Sequence, residues 1–362
     1  MHAKTAFVAS GGGLRAFAFH LGAMRALEEA GFRRKHVAAA RKEDDDQKII
    51  GSYIGSSAGA CFAVAASFFD SLDDAERVIG LKGGGKIRFS KGSLFQPDTS
   101  WFSRARKASG LFYASGIRDV VREIVAGKDD FRTIGPELYV CATQLNGPRK
   151  VVFGPRDSGD GGYNRFIAYY NDVSISDAVA ASASVPVLFR PYRIVSKQSG
   201  ETFEYTDGEV RETLSVHVAR DTQVELTIVS NTWMPYYWQK GVGSISDRGI
   251  FAVLRQAISQ AIEQKVDRFR YETDRYRETF DAIREFAKWE KLSQDQLDNL
   301  LGQVSLTLNY RPIEEIYIAP DPNDADFCLM PTFSFDRDVL SRAVEIGYRR
   351  AELAIENWRK KR

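Results

Sequence analysis

Short apolar runs alternate with helical patterns in the first part of this 362-residue chain. Thr5–Ala9 predicts a buried strand, and the glycines Gly11–Gly13 follow it as a tight turn. Apolar residues at three- and four-residue steps then predict a helix over Leu14–Ala30. A second apolar run, Ile49–Ile54, predicts the next strand, and an alanine-rich helical segment follows it. This alternation predicts an α/β fold whose parallel sheet is covered by helices.

The rest of the chain continues as a mixture of strands and helices. Further strands are predicted at Leu138–Gln144, Lys150–Phe153, Val187–Val195, Glu201–Thr206, Val224–Ser230, Val304–Tyr310 and Glu315–Ile318. Further helices are predicted at Ile117–Val125, Ser176–Ser184, about 249–301 and Asp336–Arg362. The chain has no convincing linker, so we expect one domain over residues 1–362. Its core motifs span about 5–220, and a helix-rich C-terminal elaboration spans about 245–362.

Composition and charge exclude several classes of protein. The net charge of +2, from 50 basic and 48 acidic residues, does not favour a nucleic-acid-binding protein. The three cysteines are far apart in apolar sequence, which is typical of reduced, buried thiols and of a cytoplasmic protein. The short apolar run after Lys4 predicts no secretory signal. No run reaches the roughly 20 apolar residues that span a bilayer, so we expect any membrane contact to be peripheral.

Residues 82–107 differ in character from the segments around them. Seven basic residues stand there against Asp98 alone, with five aromatic or leucine side chains between them. One interpretation is a solvated loop with apolar anchors, which is the usual role of charge-rich segments. The other is a mobile cap that makes peripheral contact with an anionic lipid surface.

A candidate nucleophile lies between the second strand and its helix. Ser57 is the centre of Gly55-Ser56-Ser57-Ala58-Gly59, a Gly-x-Ser-x-Gly pattern. A sharp strand-to-helix turn exposes such a serine hydroxyl, and glycines let the backbone pass closely. The same pattern also occurs in ordinary glycine-rich turns, so its surroundings decide between the two interpretations.

Acyl transfer also needs oxyanion donors and a base. The amides of Gly11, Gly12 and Gly13 are candidate donors, and Arg15 supports that loop or adds positive potential. Of the four histidines, none is well placed as the base: His20 lies inside the first predicted helix and His217 follows Asp207 by only ten residues.

Asp207 is the better candidate for the base. It ends a strand and precedes Gly208, which would let its carboxylate reach Ser57 directly. The alternative for an Asp-Gly pair is a plain hairpin turn.

Together these motifs resemble the patatin-like phospholipases. The pattern of that family is Gly-Gly-Gly-x-Arg-Gly, then Gly-x-Ser-x-Gly, then Asp-Gly-Gly or Asp-Gly-Ala. The corresponding segments here are Gly11-Gly12-Gly13-Leu14-Arg15-Ala16, Gly55-Ser56-Ser57-Ala58-Gly59 and Asp207-Gly208-Glu209. The first helix and Ala181-Ser182-Ala183-Ser184-Val185-Pro186 resemble further family segments, and the resemblance covers about residues 5–220.

The resemblance implies a three-layer α/β/α fold and a Ser57–Asp207 dyad without histidine. It implies an oxyanion hole from the Gly11–Gly13 loop and hydrolysis of fatty-acyl esters in phospholipids or related lipids, with no metal and no organic cofactor. Ala16 and Glu209 depart from the family pattern. A second carboxylate two residues from Asp207 either raises the pKa of Asp207 or faces solvent.

Two other functions fit parts of the sequence. A catalytically weak member would bind lipid or a protein partner, as Glu209 and the long helical tail allow. A dinucleotide-binding oxidoreductase would use Gly11-x-Gly13-x-x-Ala16, although the acidic residue expected after the second strand is missing.

Overall fold

The structure, a computed structural model, describes residues 5–36, 48–97, 109–157, 167–197, 199–211, 213–308, 310 and 312–361. The strands are β1 Thr5–Ala9, β2 Arg33–Arg34, β3 Ile49–Ser56, β4 Gln96–Pro97, β5 Phe112–Tyr113, β6 Glu137–Gln144, β7 Lys150–Phe153, β8 Ile167–Tyr170, β9 Tyr192–Val195, β10 Thr202–Asp207, β11 Leu226–Ser230 and β12 Glu314–Ile318. The helices are α1 Gly13–Glu29, α2 Ala58–Phe68, α3 Leu72–Val78, α4 Lys91–Leu94, α5 Ser115–Val125, α6 Ile175–Ser182, α7 Val216–Asp221, α8 Ile250–Trp289, α9 Gln294–Leu308, α10 Ala325–Leu329 and α11 Arg337–Lys360.

The central sheet has the strand order β12-β11-β1-β3-β6-β10-β9, and its first five strands run parallel. The later strands β10 and β7 both pair antiparallel with β6. Alternate residues of β1 face opposite sides of this sheet: Phe7 and Ala9 join one apolar core, and Ala6 and Val8 join the other. Helices cover both faces, which confirms the predicted α/β fold with a mostly parallel sheet and additional C-terminal helices.

Two strands meet end to end on one edge of β6. Ser56, the last residue of β3, pairs with Cys141, and Asp207, the last residue of β10, pairs with the next residue, Ala142. Strand β7 pairs with the opposite edge of β6 along Val140–Thr143, which includes residues that pair with β3 and residues that pair with β10. Because β3 and β10 run in opposite directions along the same edge, their C-terminal ends face each other. This register fixes the positions of the candidate nucleophile and base.

Some predicted elements are different in the structure. Val304–Tyr310 is not a strand, because residues up to Leu308 complete helix α9. Only Tyr192–Val195 of the predicted Val187–Val195 strand is a strand, since Val187 and Leu188 form a turn and Phe189 makes an isolated bridge to Phe112. The long helical region is divided between α8 and α9. No helix in the described ranges combines the length and the apolar character needed to cross a membrane.

The segment 82–107 is described only as far as residue 97. Lys82 forms ion pairs with Asp73 and Glu76 at 2.6 and 3.0 Å. Phe89 and Leu94 are buried in the core. Phe95 is partly buried against the same core. Trp101 and Phe102, the two remaining apolar candidates, lie outside the described residues.

The C-terminal helix packs closely on the first helix. A β-carbon on Gly22 of α1 would lie 1.9 Å from the carbonyl oxygen of Val344, and one on Gly347 of α11 would lie 2.1 Å from that of Phe19. Both glycines therefore allow the two backbones to touch, and a larger residue at either position would push α11 away from α1.

We expect Gly22→Ala to lower the free energy of unfolding by about 2–3 kcal/mol, because the added methyl group clashes with backbone rather than with a flexible side chain. Urea denaturation would measure the change. Gly302→Ala is the matched control, since Gly302 also lies in a helix but has open space around its β-carbon position, and alanine there should be neutral or stabilising. Equal stability of Gly22→Ala and the wild type would contradict the close helix contact.

Candidate active site

Ser57 occupies a strained turn between β3 and α2. Its backbone has φ 54° and ψ −126°, a combination that costs about 1–3 kcal/mol for a residue with a β-carbon. The turn is tight because a β-carbon on Gly59 would lie 2.2 Å from the Ala9 carbonyl oxygen, and one on Gly55 would lie 2.4 Å from that of Gly59. Ser57 does not cap α2 with its side chain, so its hydroxyl remains available for other contacts.

A second serine, Ser182 at the end of α6, holds this turn in place. The Ser57 amide donates to the Ser182 hydroxyl at 2.8 Å, and that hydroxyl donates to the Cys141 carbonyl at 2.6 Å. Ser184 extends the support, since its carbonyl accepts from the Asp207 amide at 3.0 Å. The segment after α6 therefore ties together β6, the Ser57 turn and the end of β10.

The carboxylate of Asp207 lies beside the Ser57 side chain, whose interaction with it lowers the pKa of Asp207. Its Oδ1 accepts a hydrogen bond from the Glu209 amide at 2.9 Å. Asp207 is 4% exposed, and burial raises its pKa to about 6, although the interactions with the Ser57 side chain and the Glu209 amide act in the opposite direction. At neutral pH the group is therefore a carboxylate beside a serine side chain, and a general base needs such a position.

A neighbouring thiol does not compete with Ser57. Burial and the nearby charge of Asp207 raise the pKa of Cys61 to about 12, so this cysteine stays protonated at neutral pH.

The glycine loop lies beside Ser57 but is only partly available to a ligand. The Gly11 amide donates to Glu209 Oε1 at 2.6 Å. The amides of Gly12 and Gly13 donate no hydrogen bond within the described ranges, and both residues have positive φ, 133° and 71°. Of the three predicted oxyanion donors, the Gly11 amide therefore already has an acceptor, while the Gly12 and Gly13 amides have none among the described residues.

Arg15 supports the loop from behind. Its guanidinium is buried, donates to the Phe327 carbonyl at 2.8 Å and lies 5.0 Å from the centre of the Phe327 ring. Burial and the nearby Arg255 lower its pKa to about 9, so the side chain stays charged at neutral pH. Of the two roles that the sequence left open for Arg15, these contacts fit support of the loop.

An apolar pocket opens beside the Ser57 hydroxyl. It is lined by Gly13, Leu14, Phe17, Ser57, Ala58, Cys61, Phe89, Leu94, Ile117, Ala183, Val185, Phe189 and Phe333. Phe333 comes from the C-terminal part of the chain, next to Thr332, whose carbonyl oxygen would lie 2.3 Å from a β-carbon on Gly13. The C-terminal third therefore contributes a wall of the same site.

The buried histidine near this region has another role. His20 is hydrogen-bonded through its two ring nitrogens to Ser230 and to the Ser10 carbonyl, at 2.7 and 2.8 Å, and burial lowers its pKa to about 4. His217 lies in α7, and His2 lies outside the described residues. Among the described residues, no three His, Cys, Asp or Glu side chains are grouped so that they could hold a metal ion.

The site contains residues that the sequence alone did not single out. Ser182 and Ser184 belong to a segment that was matched to the family without a role. Phe333 is distant in sequence and carries no motif. Glu209 was expected either to raise the pKa of Asp207 or to face solvent; it is 4% exposed, so it does not face solvent.

Comparison with known proteins identifies the family of the chain. No match was found among curated proteins. A family model described as patatin-like phospholipase matches residues 7–220, a region that includes the glycine loop, the Ser57 turn and Asp207. Because this match covers more than half of the chain, the protein belongs to the patatin-like phospholipase family.

Proposed function

We propose that the protein is a serine acyl hydrolase that cleaves fatty-acyl esters of phospholipids or related lipids through a Ser57–Asp207 dyad. The observation that carries this proposal is the meeting of the β3 and β10 ends on β6, which brings the buried Asp207 carboxylate beside the Ser57 side chain and next to an apolar pocket. The family match supports lipid ester hydrolysis and favours it over dinucleotide binding.

The reaction would begin with attack of Ser57 Oγ on the ester carbonyl carbon. Asp207 takes the serine proton as the new C–O bond forms, and the Gly12 and Gly13 amides donate to the oxyanion. The proton then passes to the leaving alcohol as the ester bond breaks. Water, deprotonated by the same carboxylate, hydrolyses the acyl-enzyme and regenerates Ser57.

The pocket fits the acyl chain of such a substrate. Its walls are mainly aliphatic and aromatic, and Ser57 is one of the residues that line it. None of these steps requires a metal or an organic cofactor. As part of this proposal, a cytoplasmic enzyme would reach its lipid through peripheral contact of residues 82–107 with the membrane surface. Because Phe89 and Leu94 are buried, other side chains of that segment would make the contact.

Removal of either dyad side chain should abolish hydrolysis. We expect Ser57→Ala and Asp207→Asn each to lower kcat/KM by about 10³-fold or more, on a soluble ester and on phospholipid vesicles. Glu204→Gln, a change to a more exposed carboxylate of the same strand, is the control and should resemble the wild type. Equal turnover by the wild type and both dyad variants would rule out this mechanism.

The acidic side of the pH profile should report Asp207. The base must be ionised, and burial raises its pKa to about 6, so kcat/KM should fall about tenfold per pH unit below about pH 6. Steady-state rates on a soluble ester between pH 4.5 and 7.5 would show this limb. A profile that stays flat down to about pH 4.5 would mean that an ordinary carboxylate, or no carboxylate, acts as the base.

Loss of the Ser182 hydroxyl should loosen the nucleophile turn. Ser182→Ala leaves the buried Ser57 amide without its acceptor, so we expect kcat to fall by about 10–100-fold. Ser182→Thr, which keeps a hydroxyl, should recover part of that loss. The control is Ser67→Ala in α2, since within the described part of the chain the Ser67 hydroxyl donates to the carbonyl of Val64, one turn earlier in the same helix, and to no other group. Unchanged kcat in Ser182→Ala would show that the turn does not need this support.

A further inference from the structure

Glu209 is a buried acid that the proposed reaction does not use. It lies in the turn Gly208–Val210 directly after Asp207, where the family pattern has glycine or alanine. The side chain is 4% exposed. A carboxyl group in such a place needs a physical explanation, because burial of an ionised group costs several kcal/mol unless it is fully paired.

The contacts of Glu209 join the two halves of the candidate site. Its Oε1 accepts from the Gly11 amide at 2.6 Å, and its own amide donates to Asp207 Oδ1 at 2.9 Å. A β-carbon on Gly11 would lie 2.9 Å from Ser57 Cβ and 3.0 Å from Glu209 Cγ. The Glu209 side chain and Ser57 therefore contact the same glycine, and one residue links the glycine loop to the base.

The surroundings of the carboxyl group favour its neutral form. Burial and the charge of Asp207 raise the pKa of Glu209 to about 8. The Gly11 amide, Thr213 and Lys150 lower the pKa, but their combined effect is smaller. Oε2 is buried, and no hydrogen bond of ordinary geometry reaches it from the described residues.

Two lysines lie on the elements packed around Glu209, and both have other contacts. Lys150 Nζ donates to the Ser215 hydroxyl at 3.1 Å. Lys265 of α8 donates to the backbone carbonyls of Glu209 and Val210, at 3.3 and 2.7 Å. Of the charged side chains in the described ranges, Lys150 and Asp207 act on the Glu209 carboxyl group, and the attraction of Lys150 is weaker than the combined effect of burial and Asp207.

We propose that Glu209 is a positioning residue that acts as a neutral carboxylic acid, holding the glycine loop against the Asp207 turn, and that its ionisation switches hydrolysis off. The inference rests on the proposed function, because the switch acts on the Ser57–Asp207 reaction. A second negative charge beside Asp207 would oppose the oxyanion that develops at the neighbouring Gly12 and Gly13 amides. The site would therefore need Asp207 ionised and Glu209 protonated at the same time.

The alkaline side of the pH profile tests the switch. We expect wild-type kcat/KM on a soluble ester to fall about tenfold per pH unit above about pH 8. Glu209→Gln keeps an oxygen that can accept from the Gly11 amide but cannot ionise, so its profile should stay flat to about pH 9.5. Glu201→Gln, an exposed carboxylate just before β10, is the matched control and should retain the wild-type decline. An alkaline decline in Glu209→Gln equal to that of the wild type, or none in the wild type, would overturn the switch.

Unfolding supplies a readout that does not depend on activity. The ordinary pKa of glutamate in the unfolded chain is about 4.3, so between about pH 5 and 8 the native protein binds one more proton than the unfolded chain. The wild type should therefore lose stability relative to Glu209→Gln as the pH rises. Its unfolding equilibrium constant should increase relative to that of the variant by up to about tenfold per pH unit, and this difference should level off above about pH 8. The raised pKa of Asp207 is common to both proteins and cancels.

These two measurements separate failure of this inference from failure of the proposed function. One outcome is that the protein shows no ester hydrolysis while the stability difference between wild type and Glu209→Gln still grows from about pH 5 to 8. That result would keep Glu209 as a neutral acid, but it would overturn the catalytic assignment and therefore the switch. A stability difference that is constant with pH would overturn the neutral acid whatever the activity. If Glu209→Gln does not fold, infrared difference spectra of the wild type decide. A buried carboxylic-acid C=O band should disappear between pH 7 and 9.5, and its absence at pH 7 would contradict the inference.

Discussion

The end-to-end meeting of β3 and β10 on one edge of β6 is the constraint on which the rest of the site depends. Ser56 and Asp207 pair with consecutive residues of β6, so the sheet register alone brings the Ser57 turn and the aspartate together. A shift of either strand by one residue would turn its side chains to the other face of the sheet. The Ser182 bridge to Ser57 and Cys141 then fixes the turn within that register.

The C-terminal third is physically joined to this site. Strands β11 and β12 extend the parallel sheet, α11 packs on α1 through the glycines Gly22 and Gly347, and Phe333 lines the pocket. The buried Arg15 side chain connects the start of α1 to the carbonyl of Phe327 in α10. The region after the family match therefore shapes the pocket and supports the glycine loop, a role that the family pattern does not describe.

The sequence predicts those parts of the fold and site that depend on neighbours along the chain. The glycine loop, the Ser57 turn and most strands follow from local apolar patterns and glycine spacing, and Asp207 follows from its place at a strand end. Val304–Tyr310 was predicted wrongly, because β-branched and aromatic residues at the end of a helix resemble a strand in composition. Phe333, the Ser182 bridge and the burial of Glu209 depend on contacts between distant segments, which no local pattern records. Glu209 was noticeable as a departure from the family pattern, but its inward direction was not predictable from the sequence.

The central claim is that Ser57 is a nucleophile activated by Asp207, and covalent labelling tests it most directly. A fluorophosphonate probe reacts with an activated serine, and peptide mapping by mass spectrometry locates the modified residue. We expect a single label on the peptide that contains Ser57 in the wild type, and loss of labelling in Asp207→Asn. An unlabelled Ser57 in folded wild-type protein, or equal labelling of Ser57 in wild type and Asp207→Asn, would contradict the account.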